Sequence, residues 1–184
     1  MTTKLSPADI LEFWYSPAMA KHWFNSTPEI DQTIHSRYLT AWQQAKTGEL
    51  DTWKNDADGC LALCIILDQF PLNMFRGHPD AFATEQLAVA VCKHAIAHGF
   101  DQQLPKQQVS FLYLPLMHSE NMADQDESVR LFTAAGLKEN AQFAQHHRHI
   151  VERFGRFPHR NAILGRESTA AELAYLASAE AFTG

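Results

Sequence analysis

The sequence predicts an all-α protein of about eight helices in antiparallel pairs, with no sheet. Three observations carry this. Helix-opening and helix-closing residues punctuate the chain: Ser6-Pro7, Thr27-Pro28, Pro79 and Pro105 open segments, and Gly48, Gly99, Gly136 and Gly155 follow segments. Apolar residues between these marks recur at three- and four-residue spacing. The connections are short, which makes neighbours antiparallel and favours stacked helical hairpins. The tetratricopeptide consensus itself is absent. No linker-like or low-complexity segment interrupts the pattern, so one domain over residues 1–184 is expected.

In chain order, Ser6 caps a first helix with Pro7 at its first position. Ile10, Leu11, Phe13 and Trp14 form its apolar side, and Ser16-Pro17 ends it. Thr27-Pro28 opens the next, with Ile30, Ile34, Tyr38, Ala41 and Ala45 at helical spacing, Trp42 beside them, and Gly48 as its left-handed cap. Cys60 to Leu67 is apolar all round. Periodicity cannot separate a buried helix from a buried strand here. No second strand candidate exists to pair with it, so it reads as a central helix ended by Pro71. Pro79 starts a helix running to about His98, with Phe82, Val89, Cys92 and Ile96 on one face. After Pro105, Val109, Leu112, Tyr113 and Leu116 follow helical spacing, and Pro115 predicts a kink or an early end. Asp124 to Ala135 is a shorter helix with Val129 and Phe132 inward. Lys138 to Phe154 is a long one. Thr169 to Glu172 is a capping box, and Leu173, Leu176 and Ala177 make the inner face of the last helix.

Composition excludes several classes. With 46% hydrophobic and 20% charged residues the chain reads as soluble and globular. No apolar run reaches the ~18 residues of a membrane span, and the N-terminus lacks an apolar signal core, so a cytoplasmic location is expected. A net charge of −6 disfavours general nucleic-acid or anionic-membrane binding. Cys60, Cys64 and Cys92 sit in apolar helical patterns, as buried small hydrophobes do. Cys60 and Cys64 lie one turn apart but have no further ligand nearby, so no metal site is expected.

Charge is unevenly spread. Of eight arginines, Arg148, Arg153, Arg156, Arg160 and Arg166 fall in one short segment, with His146, His147, His149 and His159. Its core is Phe154-Gly-Arg-Phe-Pro-His-Arg-Asn-Ala-Ile-Leu-Gly-Arg166, an ordered loop that carries fixed cations.

Three polar islands interrupt apolar helices. The first runs from Asp68 to Arg76. Asp68 ends the most apolar stretch, so it is either paired or a site carboxylate. The second is His118-Ser119-Glu120, after the Pro115 irregularity; His118 suits proton transfer near neutral pH. The third is the helix before the loop, where Phe143, His147, Ile150 and Phe154 share the inward stripe. His147 is thus either a satisfied core histidine or a site residue. His146 and His149 lie on the neighbouring polar stripe, where an exposed face is the plainer reading. No glycine-rich phosphate loop, H-E-x-x-H, G-x-S-x-G or C-x-x-C occurs.

These motifs resemble a bacterial domain-of-unknown-function family, numbered 924. The matching pieces include Ile10-Leu-Glu-Phe-Trp14, Trp23-Phe24, Gly48 to Trp53, Asp68-Gln-Phe-Pro71, Asn73-Met-Phe-Arg-Gly77, Leu114-Pro115, His118-Ser-Glu120, Asp124-Gln125, His147, Phe154 to Asn161, Leu164-Gly-Arg166 and Ser168-Thr169. Leu72 departs from the pattern, which usually has Arg there. The resemblance implies a tetratricopeptide-like, all-helical right-handed superhelix; it does not imply any particular activity.

Three functional readings stand at this point. The first is a pocket for a small phosphate- or carboxylate-bearing ligand, formed where the three islands meet. Arg76, Arg156, His159, Arg160, Asn161 and Arg166 would hold the anion. His118, His147, Asp68 and Glu120 would do acid/base work. The second is a helical-repeat surface for an acidic peptide or protein, including Trp23 or Trp53. The third is a motif that holds the fold, its arginines neutralising Asp68, Glu120 and Glu172. Cofactor and oligomeric state stay open.

Overall fold

The computed structural model describes residues 5–182, which hold helices and turns and no strand. The elements are α1 (Pro7–Trp14), α2 (Pro17–Ala20), α3 (Pro28–Lys46), α4 (Ala57–Cys64), α5 (Phe70–Met74), α6 (Glu85–Ala97), α7 (Lys106–His118), α8 (Met122–Ala134), α9 (Lys138–Phe154) and α10 (Ala170–Leu176), joined by short 3-10 turns. No described helix is long and apolar enough to cross a membrane.

The expected openings hold. Ser6 and Asp9 close a capping box at α1, Thr27 caps α3 with Pro28 in its first turn, and Thr169 and Glu172 close a second box at α10. Ser16-Pro17 does more than end α1, because Ser16 also caps α2. Pro79 opens a 3-10 turn, Pro79–Phe82, and the helix proper begins only at Glu85.

Contacts divide the chain into two compact units. The first is Met1–Arg76 with Asp80–Pro115; the second is Gly77–Pro79 with Leu116–Gly184. In the first, α4 packs against α1 and α6, and α3 against α5. Trp14 and Phe70 are fully buried, with ring centroids 5.8 Å apart, and Tyr38 stacks on Phe70 at 4.7 Å. In the second, α8 and α9 form a hairpin through Ala135, Gly136 and Leu137, with Gly136 at φ 68°. Ile150, Val151, Phe157 and Tyr175 form one buried apolar cluster in it.

Pro71, expected to end its helix, does not, and Pro115, expected to kink or end its own, does not end it. α4 continues through a π-helical turn, Ile65–Gln69, into α5. The Phe70 N–H reaches back to the Ile65 carbonyl, so the widened turn carries the backbone past Pro71. The Leu67 carbonyl, which Pro71 cannot serve, accepts instead from the Thr84 hydroxyl at 2.6 Å. Thr84 in turn accepts from Trp42 Nε1 at 3.0 Å. A local irregularity is therefore satisfied by residues far along the chain. Pro115 lies inside α7, which runs on to His118.

Gly59 is fixed by proximity. A Cβ built there would lie 1.9 Å from the Trp53 carbonyl oxygen. Glycine to alanine inside a helix ordinarily gains about 1 kcal/mol. Gly59→Ala is expected to lose about 2 kcal/mol instead, because backbone rather than a flexible side chain must move. Urea unfolding of the variant against the parent checks the sign.

Candidate functional site: a clamped arginine loop beside a cluster of imidazoles

The second unit brings two of the three islands together. α7 ends at His118, and the irregular backbone after it is held by the start of α8. Ser119 donates to Asp124 Oδ2 at 2.7 Å, and Gln125 Nε2 donates to the carbonyls of Met117 (2.7 Å) and Ser119 (2.6 Å). These are carbonyls that a helix end leaves without helical partners. Asn121 caps α8 through Ala123 and Asp124. The buried face of α8 is consequently polar at its start, with Asp124, Gln125 and Ser128 beside Leu131 and Phe132; Val129 is only half-buried.

The loop leaves α9 through Gly155, at φ 72°. It buries Phe157, makes a 3-10 turn over Pro158–Arg160, and turns again at Gly165. Glu120 receives the Phe157 N–H at 2.7 Å and both terminal nitrogens of Arg166, at 2.7 and 2.9 Å. Arg166 Nε donates to Asn161 Oδ1 at 2.9 Å. Asn161 Nδ2 donates to Ser168 at 3.0 Å and Glu172 at 3.2 Å. Glu172 is gripped by Arg156 Nε at 2.7 Å and Nη2 at 2.9 Å, and it accepts the Thr169 N–H at 2.8 Å. One connected chain, Glu120–Arg166–Asn161–Glu172–Arg156, thus ties the loop to the end of α7 and the start of α10. Both Arg–carboxylate pairs are bidentate, the strong geometry for this contact. Arg156 holds the Glu172 carboxyl down to about 2. Burial pushes the Glu120 carboxyl up, but hydrogen bonds from Arg166 and Phe157 outweigh it and leave it below the ordinary range.

Arg160 is buried. Its Nη2 donates to the His118 carbonyl at 2.8 Å, and its guanidinium lies 4.7 Å from the centre of the Phe157 ring.

The imidazoles gather beside this clamp. The His147 ring is buried, and its Nδ1 lies 2.7 Å from the Phe143 carbonyl. A carbonyl only accepts, so Nδ1 carries the proton and Nε2 the lone pair. The ring centroid is 6.4 Å from His118, 5.5 Å from Phe157 and 4.6 Å from Phe182. Burial, then the neighbouring His118, pushes the His147 pKa down to about 3. Burial, then Arg160, pushes His159 down to about 4. His159 Nδ1 is buried without a hydrogen-bond partner among the described residues.

The other predicted residues lie in the first unit. Asp68 and Gln69 sit on the π turn, buried, with Gln69 Nε2 donating to Asp68 at 2.6 Å. Arg76 pairs with Asp31 through Nε at 2.8 Å, and Asp31 also accepts from Asn73 (2.8 Å) and Ser26 (2.7 Å). Burial raises the Asp31 carboxyl, but these donors, Arg76 first, outweigh it.

Some expected inward residues face out. Phe143 is 58% exposed and Leu173 57% exposed, and Ala177 is exposed as well. The buried side of α10 is Glu172 and Tyr175, because the carboxylate is drawn inward by Arg156. Trp53 is buried, and Trp23, whose Nε1 donates to the Trp14 carbonyl at 2.9 Å, is half-buried. Sequence reasoning missed Asp124, Gln125 and Phe182 as parts of the site. Asp124-Gln125 follows His118-Ser-Glu120 closely enough to cap it, which was the available signal. Phe182 carried none.

Fold and site together define an all-helical protein with an arginine–carboxylate loop clamp beside a cluster of imidazoles. Residues 10–180 match the family described as bacterial protein of unknown function, DUF924, and the chain belongs to that family. It is similar to the solved structure of a protein of unknown function, ATU0120, from Agrobacterium tumefaciens. The identity is 42% and the TM-score 0.88, over 93% of this chain and 96% of that one. No curated protein matches.

Proposed function

We propose that the second unit binds a small phosphate- or carboxylate-bearing ligand beside His118, His147 and His159, with His147 Nε2 as the proton acceptor. The observation that carries this is the His147 ring. A carbonyl fixes its tautomer, burial keeps it neutral, and among the described residues its hydrogen bonding stops at Nδ1. That is how a general base is oriented. The charge that would favour an anion is also present, since Arg160 and Arg166 both depress His159.

Arg156, Asn161 and Arg166 serve as the clamp that positions the cluster, not as ligand groups, because their donors are already engaged on Glu172 and Glu120. The same engagement weighs against an acidic-peptide surface read by these arginines.

An anion beside neutral imidazoles raises their pKa and so draws protons from solvent. Calorimetric titration with inorganic phosphate and with malonate, in buffers of different ionisation enthalpy, reads this directly. Saturable binding with net proton uptake near pH 6 is expected. His147→Asn retains a donor for the Phe143 carbonyl while deleting Nε2, and is expected to weaken binding about tenfold. Equal binding and equal proton uptake in the variant would overturn the assignment.

A further inference from the structure

The exposed side of α9 carries a second feature that the imidazole cluster does not use. Two adjoining surface depressions, of about 360 and about 470 Å³, share Arg153 and Phe154. The smaller is bounded by His146, His149, Ile150, Tyr175 and Glu180, the larger by Thr169, Ala171 and the Arg156–Glu172 pair. The Arg153 guanidinium lies 4.7 Å from the centre of the Phe154 ring and 6.0 Å from that of Tyr175.

Arg153 differs from its neighbours. Arg148 pairs with Asp126 and Glu152, Arg156 with Glu172, and Arg166 with Glu120. Among the described residues Arg153 donates to no carboxylate. Its guanidinium carbon lies over the Phe154 ring, and among the described residues its N–H groups donate no hydrogen bond. That arrangement is pre-organised for bidentate capture of an oxyanion. Of the carboxylates that line the depressions, Glu172 already belongs to Arg156, and Glu180 makes no ion pair with Arg153. The half-buried Phe154, with the buried Tyr175 and Ile150 at the floor of the smaller depression, gives the guanidinium an apolar neighbour for a flat body attached to the charged head.

We infer that this cleft is a second binding site, for a small aryl carboxylate or aryl phosphate. Arg153 takes the anionic head, and Phe154 with Tyr175 takes the ring. The site is separate from the one proposed at His147 and stands or falls independently of it.

NMR titration of the labelled protein with naphthoate and with phenyl phosphate tests it, using acetate and naphthamide as probes that each lack one of the two features. Saturable shifts at Arg153, Phe154 and Tyr175 are expected for at least one aryl anion, with both control probes about tenfold weaker. Which head binds better distinguishes the carboxylate from the phosphate. Arg153 is exposed and, among the described residues, donates no hydrogen bond to a carboxylate, so Arg153→Gln is expected to leave the melting temperature unchanged while weakening aryl-anion binding about tenfold. Arg153→Lys keeps the charge without the fork and is expected to fall between. His147→Asn is expected to leave these shifts intact. The inference is overturned by unchanged affinity in Arg153→Gln. It is equally overturned by the absence of saturable shifts at these residues up to about 10 mM ligand, or by shifts that acetate reproduces.

Discussion

Replacing Glu172 with alanine is expected to destabilise the protein by about 3 kcal/mol. Glu172 is 2% exposed and is the meeting point of four donors, two from Arg156 and one each from Asn161 and the Thr169 backbone. Removing it leaves a guanidinium, an amide and a helix-terminal N–H without their acceptor at once. Breaking a buried ion pair from one side costs roughly 3–5 kcal/mol, since the remaining charge is stranded. Arg156 keeps 27% of its side chain exposed, so solvent rescues part of the loss and the lower end applies. For a chain of this size that corresponds to a fall in melting temperature of roughly 10 °C. Glu172→Gln, which keeps one acceptor, is expected to lose less. The double variant Arg156→Ala with Glu172→Ala is expected to lose less than the sum of the two single variants, because neither partner is then stranded. A loss below about 1 kcal/mol in Glu172→Ala, as for an exposed pair, would contradict the clamp.

The second large effect is acid sensitivity above the range where carboxylates titrate. His147 and His159 have folded pKa values pushed down to about 3 and about 4, while an unfolded histidine sits near 6.5. The folded value lies below the unfolded one, so on acidification the unfolded chain takes up protons first. Stability is complete above pH ~6.5 and falls as pH drops from there toward the folded values. At pH 5 each group costs about 2 kcal/mol, or about 4 kcal/mol together if both stay neutral in the fold. Glu120 and Glu172, whose carboxyls are held low, begin to subtract only below their ordinary value near 4.5. Urea unfolding between pH 7 and 5 reads the histidines alone. His147→Asn is expected to remove about half of that pH dependence. Flat stability across this window would contradict a buried, neutral cluster.

Much of this fold follows from local chemistry. Ser6, Thr27 and Thr169 cap where a short oxygen precedes a helix, and Gly155 closes α9 because it tolerates the left-handed backbone. Such signals need only neighbouring residues. What escaped the sequence depends on distant ones. Pro71 does not end its helix because Thr84, thirteen positions further on, serves the carbonyl that proline strands. α10 turns Glu172 inward and Leu173 outward because Arg156 lies across from it, against the preference of its apolar pattern. Phe143 faces solvent although it shares a spacing with His147; its carbonyl rather than its ring serves that histidine.

The candidate site divides along the same line. One reading of the charge pattern had the loop arginines neutralising Asp68, Glu120 and Glu172, and the pairs with Glu120 and Glu172 form. Inward placement of His147 followed from helical spacing. The fixed tautomer, the depressed pKa values and the packing of Phe182 on the ring are properties of the assembled unit. They change how the loop is understood. Arg156 and Arg166 hold the loop, and in the proposed site the imidazoles are the groups with chemistry to offer.

The most direct test of that division is long-range 1H–15N NMR of the histidine rings across a pH titration. His147 is expected to stay neutral from pH 7 to about 4, with the proton on Nδ1 and the lone pair on Nε2 throughout. A His147 ring that titrates near 6.5, or that carries its proton on Nε2, would contradict it.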